Sequence, residues 1–204
     1  MDVAIVDYGL SNLSCVKSAC ERLGHTAMVV SEGEDLLSAK KVILPGVGAF
    51  GDAMRNLEER GLRDVLDVLV SAEKIPFLGI CLGAQLICKE SDEYGHSAGL
   101  GWIDAKVRSL DTGSGRFRVP HSGWDDIVVK RDCPLLREIE DASLFYYTHS
   151  HAIYDAPECN VVSICDYGTE FVSIMQKDNI YATQFHPEKS QKMGLKLLEN
   201  FLGL

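Results

Sequence analysis

Residues Pro76 to Leu86 read P-F-L-G-I-C-L-G-A-Q-L. The run Pro76 to Ile80 is apolar without alternation, it meets a cysteine with glycine two residues away on each side, and a helix-compatible run, Ala84 to Glu90, follows. Continuous apolarity signals a strand covered on both faces, as in a parallel sheet wrapped by helices. Small residues before and after a nucleophile let strand and helix approach closely enough for a strained turn, which lifts the thiol above the sheet edge. The amide of Leu82 then faces a developing oxyanion. A helix N-terminus beneath the sulfur also favours the thiolate, the form that attacks carbon. Read alone, G-x-C-x-G is equally a buried structural cysteine between two packing glycines.

Outward from this segment, the first half alternates apolar runs with amphipathic stretches: Val3 to Asp7, Asn12 to Leu23, Ala27 to Val30, Lys41 to Leu44, Ala53 to Ala72 and Pro76 to Ile80. That is strand-helix-strand grammar, and it predicts an α/β fold with a central, mostly parallel sheet and functional residues at strand C-terminal ends. From about Trp102 the chain turns β-rich, with candidate strands at Asp104 to Leu110, Ile127 to Val129, Leu144 to Thr148, Val161 to Cys165, Phe171 to Met175 and Ile180 to Phe185, spaced as hairpins. Met193, Leu197, Leu198 and Phe201 fall at helical spacing and predict a closing helix, Gln191 to Phe201. Nothing divides the chain, so residues 1–204 are expected to form a single domain.

A second motif resolves the cysteine. Gln184-Phe185-His186-Pro187-Glu188 ends the apolar segment that begins at Ile180. In an extended segment residues i and i+2 share a side, so Glu188 can hold one nitrogen of His186 while the other faces Cys81. This is triad logic with a thiol nucleophile, and Cys81, His186 and Glu188 are the candidate catalytic residues. A third segment, Pro45-Gly46-Val47-Gly48-Ala49-Phe50, follows a predicted strand. It reads as a turn in isolation. Beside a nucleophile at a strand end, Gly46, Val47 and Gly48 can supply the second oxyanion donor, and the glycines permit a peptide flip that switches it on and off.

Composition limits the alternatives. With 46% hydrophobic residues in 204, the chain can bury a full core. A formal charge of -10 repels nucleic acid and anionic membrane, so neither is an expected partner. The apolar runs are too short to span a bilayer, and Asp2 stands where a signal peptide carries positive charge. Seven cysteines without framework or metal-ligand spacing read as reduced thiols, so a cytoplasmic protein without metal or cofactor is expected.

These residues resemble the class I glutamine amidotransferases, whose Cys-His-Glu triad lies on the same two motifs. Asp7-Tyr8-Gly9 with Asn12-Leu13, PGVGAFGDAM (45–54), GICLGAQL (79–86), GLGW (99–102), VPHSGW (119–124) and QFHPEKS (184–190) are similar, more narrowly and nearly end to end, to the glutaminase subunits of imidazole glycerol phosphate synthases. The resemblance implies a flavodoxin-like fold with an additional β-rich C-terminal half. It implies glutamine as substrate, a γ-glutamyl thioester on Cys81, and ammonia delivered to a (β/α)8 cyclase partner in a heterodimer of histidine biosynthesis. It also implies that Gln85, Glu93 and the backbone around Ser150 and His151 hold the α-amino and α-carboxylate end of glutamine. Trp124 and Lys189 match partner-interface positions. Without the resemblance, Gln85 reads as polar helix surface, Glu93 as part of a solvated loop and Lys189 as a solubilising charge. The chain departs from the pattern at Ser11, Ser122, Asp125 and His151, where Gly, Met, Asn and Tyr are frequent. Two other readings therefore stand beside the first: a paralogous glutaminase feeding a surface-sugar-modifying enzyme, and a catalytically silent regulatory subunit.

Overall fold

Strands whose two faces are both apolar can only be accommodated where helices cover both sides, and that condition organises the first half of the molecule. In the computed structural model, which describes residues 1–113, 115 and 117–204, this half runs β1 (Val3–Val6), α1 (Leu13–Arg22), β2 (Ala27–Val30), α2 (Gly33–Leu36), β3 (Lys41–Gly46), α3 (Phe50–Glu59), α4 (Leu62–Asp67), β4 (Phe77–Cys81) and α5 (Leu82–Leu86). The rest runs β5 (Cys88–Ser91), β6 (Ser97–Ala98), β7 (Ile103–Ser109), β8 (His121–Asp126), β9 (Val128–Val129), β10 (Leu144–His149), β11 (His151–Tyr154), β12 (Val161–Asp166), β13 (Glu170–Lys177), β14 (Ile180–Thr183) and α6 (Gln191–Leu202).

The order β2-β1-β3-β4-β14 is parallel throughout. It is the doubly wound, flavodoxin-like order, with the last strand supplied from far along the chain. From β14 the sheet continues through antiparallel pairings to β13, β11 and β7, so the whole is a mixed sheet, parallel in the half that carries the cysteine. Side chains alternate across it. Ala4, Val6 and Leu44 pack with α3, α4 and α5 on one face, while Val3, Ile5, Ile43 and Leu78 pack with α1 and α6 on the other. On that second face β8 and β10 form a separate antiparallel ribbon, whose Phe145 and Tyr147 enter the same core.

Several expectations change. The stretch Ala53 to Ala72 is divided into α3 and α4 at the left-handed Gly61 and ends in a π turn, Val68–Ala72. The helix expected over Ala84 to Glu90 stops at Leu86, because the carbonyls of Leu86 and Cys88 are taken by the amides of Leu100 and Gly101 and the chain pairs onward as β5. Pairing with distant sequence thus overrides local helix propensity. β12 with β13 and β13 with β14 are hairpins as expected, whereas β10 reaches back to β8 and β11 to β7.

Candidate active site

Cys81 closes β4 and opens α5 with φ 53° and ψ -108°, a conformation that a non-glycine residue holds only under strain. The turn depends on Gly83. A Cβ there would overlap the backbone carbonyl of Leu44, so any larger residue forces α5 off β3. The helix behind the sulfur has five residues, too few for a developed macrodipole. The contribution expected of a longer helix behind the sulfur is therefore not provided.

Three residues beyond β14, the amide of His186 donates to Tyr146 O at 2.9 Å, fixing the backbone that carries the ring. Its Nδ1 lies 2.8 Å from Glu188 Oε1, and both side chains are almost completely shielded from water. Glu188 does not reach the ring from an extended segment. Pro187–Lys189 is a 3-10 turn that curls the carboxylate back, and Ser190 clips it by donating to His186 O and accepting from Tyr146 N at 2.9 Å. The other imidazole nitrogen, Nε2, is buried and outside ordinary hydrogen-bond geometry. Burial by itself pulls the pKa of His186 down; the charge of the nearby Cys81 sulfur, then the hydrogen bond and charge of Glu188, outweigh it and push the value up to about 10. The sulfur in turn lies 3.9 Å from Thr148 O and receives Gln184 Nε2 at 3.8 Å. The chemistry open to this arrangement is attack by an imidazolium-paired thiolate on an acyl carbon.

A cavity of about 230 Å³ opens at the sulfur. Of the residues singled out in the sequence, Val47, Gly48, Cys81, Leu82, Gln85, Glu93, Ser150 and His151 line it. Gly46 lies behind, level with Cys81 in the β3–β4 register. Gln85 is buried rather than on a polar helix surface, and its Nε2 donates to His151 O at 2.8 Å and to Gln184 Oε1 at 3.1 Å. Glu93 is no solvated loop residue either: Oε2 accepts the Phe50 amide at the start of α3 at 2.7 Å, and Oε1 lies 3.3 Å from His151 Nδ1. Val47 departs from expectation. Its amide donates to Leu10 O at 2.8 Å and is therefore not presented to the cavity, while Gly48 holds φ 114°, a backbone state that glycine adopts without strain. Trp124, 43% exposed and edge-on to Tyr146, and the half-buried Lys189 lie outside the cavity, on grooves beside it. His149 and Pro120, not singled out in the sequence, also line the cavity, and Ser190 and Leu10 hold its parts in place. His149 leads to a buried partner, His121. The H-x-H spacing at 149–151 was the available signal for His149; nothing local marks the others.

The chain belongs to the class I glutamine amidotransferase family, whose model, Glutamine amidotransferase class-I, matches residues 4–203. The fold is shared with a crystal structure of a glutamine amidotransferase (TM-score 0.78, 22% identity, 100% of both chains). It is shared also with PurLQS from Thermotoga maritima (TM-score 0.77, 21% identity, 99% of this chain and 97% of that one). Within the family the chain is 43% identical to the imidazole glycerol phosphate synthase subunit HisH of Geobacter sulfurreducens, over 98% of this chain and 97% of that one. It is 44% identical to that of Aquifex aeolicus, over 98% and 96%. Identity at this level over nearly the whole length places it in the HisH branch. Among the described residues no cluster of His, Cys, Asp and Glu is arranged to hold a metal, and no helix is long and apolar enough to cross a membrane.

Proposed function

We propose that the chain is the glutaminase subunit of an imidazole glycerol phosphate synthase. It hydrolyses glutamine to glutamate and ammonia and passes the ammonia to a (β/α)8 cyclase partner in the cytoplasmic synthesis of histidine. The observation that carries this reading is the strained Cys81 at the cavity mouth, electrostatically coupled to a His186 that Glu188 holds at 2.8 Å. The thiolate attacks the side-chain amide carbon of glutamine, and the resulting oxyanion meets the Leu82 amide. His186 gives its proton to the amide nitrogen, the C–N bond breaks, and ammonia leaves a γ-glutamyl thioester. Water then attacks the thioester while His186 accepts its proton; the C–S bond breaks and glutamate departs. Glu188 keeps the ring oriented and its cation favoured throughout.

Gln85, Glu93, Ser150 and His151 fit the amino-acid end of the substrate, the Glu93 carboxylate being the natural counter-charge for the α-ammonium group. The second oxyanion donor comes from Gly46-Val47-Gly48 once the Val47 amide leaves Leu10 O, and Trp124 and Lys189 lie on the partner face. Glutamate release should be measured with the chain alone, with the cyclase, and with Cys81→Ala. Release that depends on the cyclase and vanishes in the variant is expected; full release by the variant would refute the mechanism.

A second reading is supported by the departures at Ser11, Ser122, Asp125 and His151: the same half-reaction serving a surface-sugar-modifying enzyme. Release stimulated by that enzyme and not by the cyclase would favour it.

A further inference from the structure

Three hydrogen bonds run in line from the cavity toward the outer side of β8. His149 Nδ1 lies 2.8 Å from His151 O, His149 Nε2 lies 3.1 Å from His121 Nδ1, and His121 Nε2 lies 3.1 Å from Asp125 Oδ2. A carbonyl can only accept, so His149 must carry a proton on Nδ1. Its Nε2 in the neutral ring is then an acceptor, and His121 must donate from Nδ1. That leaves His121 Nε2 as a bare acceptor facing Asp125, and an ionised carboxylate there would set lone pair against lone pair. Two neutral imidazoles bring two protons to three contacts whose two ends are both acceptors.

We infer that Asp125, His121 and His149 form a positioning chain for the substrate pocket, complete only when it holds a third proton at the His121–Asp125 contact. Burial disfavours a cationic imidazole, holding His121 down at about 4 and His149 at about 3. It also raises Asp125, with Asp126 and Asp166 adding to the effect. The third proton lies in the contact between His121 Nε2 and Asp125 Oδ2, 3.1 Å apart, where the one-third exposed carboxyl lets it exchange with water. The other groups facing the chain are Tyr147 of β10 and Tyr167, whose rings stack on His121 at 4.8 and 3.9 Å, Cys165 at the end of β12, and His151 and His186 on the pocket side.

The chain's product is the position of one carbonyl. His151 O accepts both His149 Nδ1 and Gln85 Nε2, while the His151 ring touches Glu93, so the two candidate substrate-holding side chains are set from this point. That part of the inference rests on the glutaminase reading; the proton count does not.

The test uses the full-length chain labelled with 15N-histidine, whose ring tautomers are read by NMR from about pH 5 to about pH 10. Glutamine KM and kcat are measured on the same proteins bound to the cyclase. In Asp125→Asn the amide NH2 supplies the third proton permanently. Both rings should then stay protonated on Nδ1 throughout and KM should be flat, whereas in the wild type KM rises with pH as the third proton leaves the His121–Asp125 contact. Asp125→Leu removes one hydrogen bond and should raise KM by roughly fivefold to tenfold with kcat little changed. A proton on Nε2 of His149 in Asp125→Asn, or an unaltered KM and pH profile in Asp125→Leu, would overturn the inference. The expected tautomers in a chain that hydrolyses no glutamine would support the proton count and reject the glutaminase reading instead.

Discussion

Cys81 sits at φ 53°, in a region where non-glycine residues carry strain of about 1–3 kcal/mol. Strain at a cavity mouth is what the nucleophile reading of G-x-C-x-G requires and the packing reading does not. Two variants expose the difference. Cys81→Ala should abolish glutamine hydrolysis while leaving the strain in place, and Cys81→Gly should be equally inactive yet more stable than Cys81→Ala by about 1 kcal/mol. Urea midpoints in which the alanine variant is the more stable would contradict this. His186 supplies a second expectation at this scale. Its folded pKa of about 10 lies above the ordinary 6.5, so the stability it contributes is fully present below pH 6.5 and is lost as pH rises through 10. Cys81 is the strongest influence raising that value, and in Cys81→Ala the ring should lose its proton at a distinctly lower pH in an NMR titration. An unchanged titration would show that Glu188 alone holds the cation.

The elbow is an element-scale device, since β3, β4 and α5 can meet only if position 83 lacks a side chain. Gly83→Ala should cost about 3 kcal/mol or more, because the obstacle is a backbone carbonyl in the middle of the sheet and not the tip of a flexible chain. Chemical denaturation of Gly83→Ala within 1 kcal/mol of wild type would mean that the strand gives way easily. This elbow and the parallel strands were legible because their signals are local: continuous apolar runs, glycines at fixed offsets, a cysteine between them. α5 was read too long because what ends it is pairing with Leu100 and Gly101, invisible in the run itself. β8 was missed because only one side of it is covered, leaving a mostly polar pattern. Glu188 was assigned to the right partner through the wrong geometry, the 3-10 turn depending on a serine hydroxyl that bridges two segments. Side chains acting through contacts across the fold carry little signature in the order of residues: His149 offers only its H-x-H spacing with His151, and its partner His121 stands 28 residues away.

At the scale of the whole molecule the proposed oxyanion role makes the resting state of the Val47 amide the point at which the site would be controlled. Bound to Leu10 O at 2.8 Å, it is turned away from the cavity, and on the proposed mechanism the isolated chain is expected to favour this withheld form over a competent one. A partner can shift that balance only by binding the competent form more tightly, and the stimulation it gives is bounded by the reciprocal of the competent fraction. If one molecule in about a hundred is competent, full stimulation approaches about a hundredfold, and bringing nearly all molecules to the competent form takes about 5.5 kcal/mol of preferential binding. The expectation is therefore that glutamine turnover rises steeply with cyclase concentration and saturates. Over the same titration the Val47 amide, whose bond to Leu10 O is expected to protect it from hydrogen exchange in the isolated chain, should change its protection. Turnover that is high without partner while Val47 remains protected would mean that Leu82 alone suffices for the oxyanion. Stimulation with Val47 still bonded to Leu10 would move the control elsewhere, to the placement of glutamine by Gln85 and Glu93.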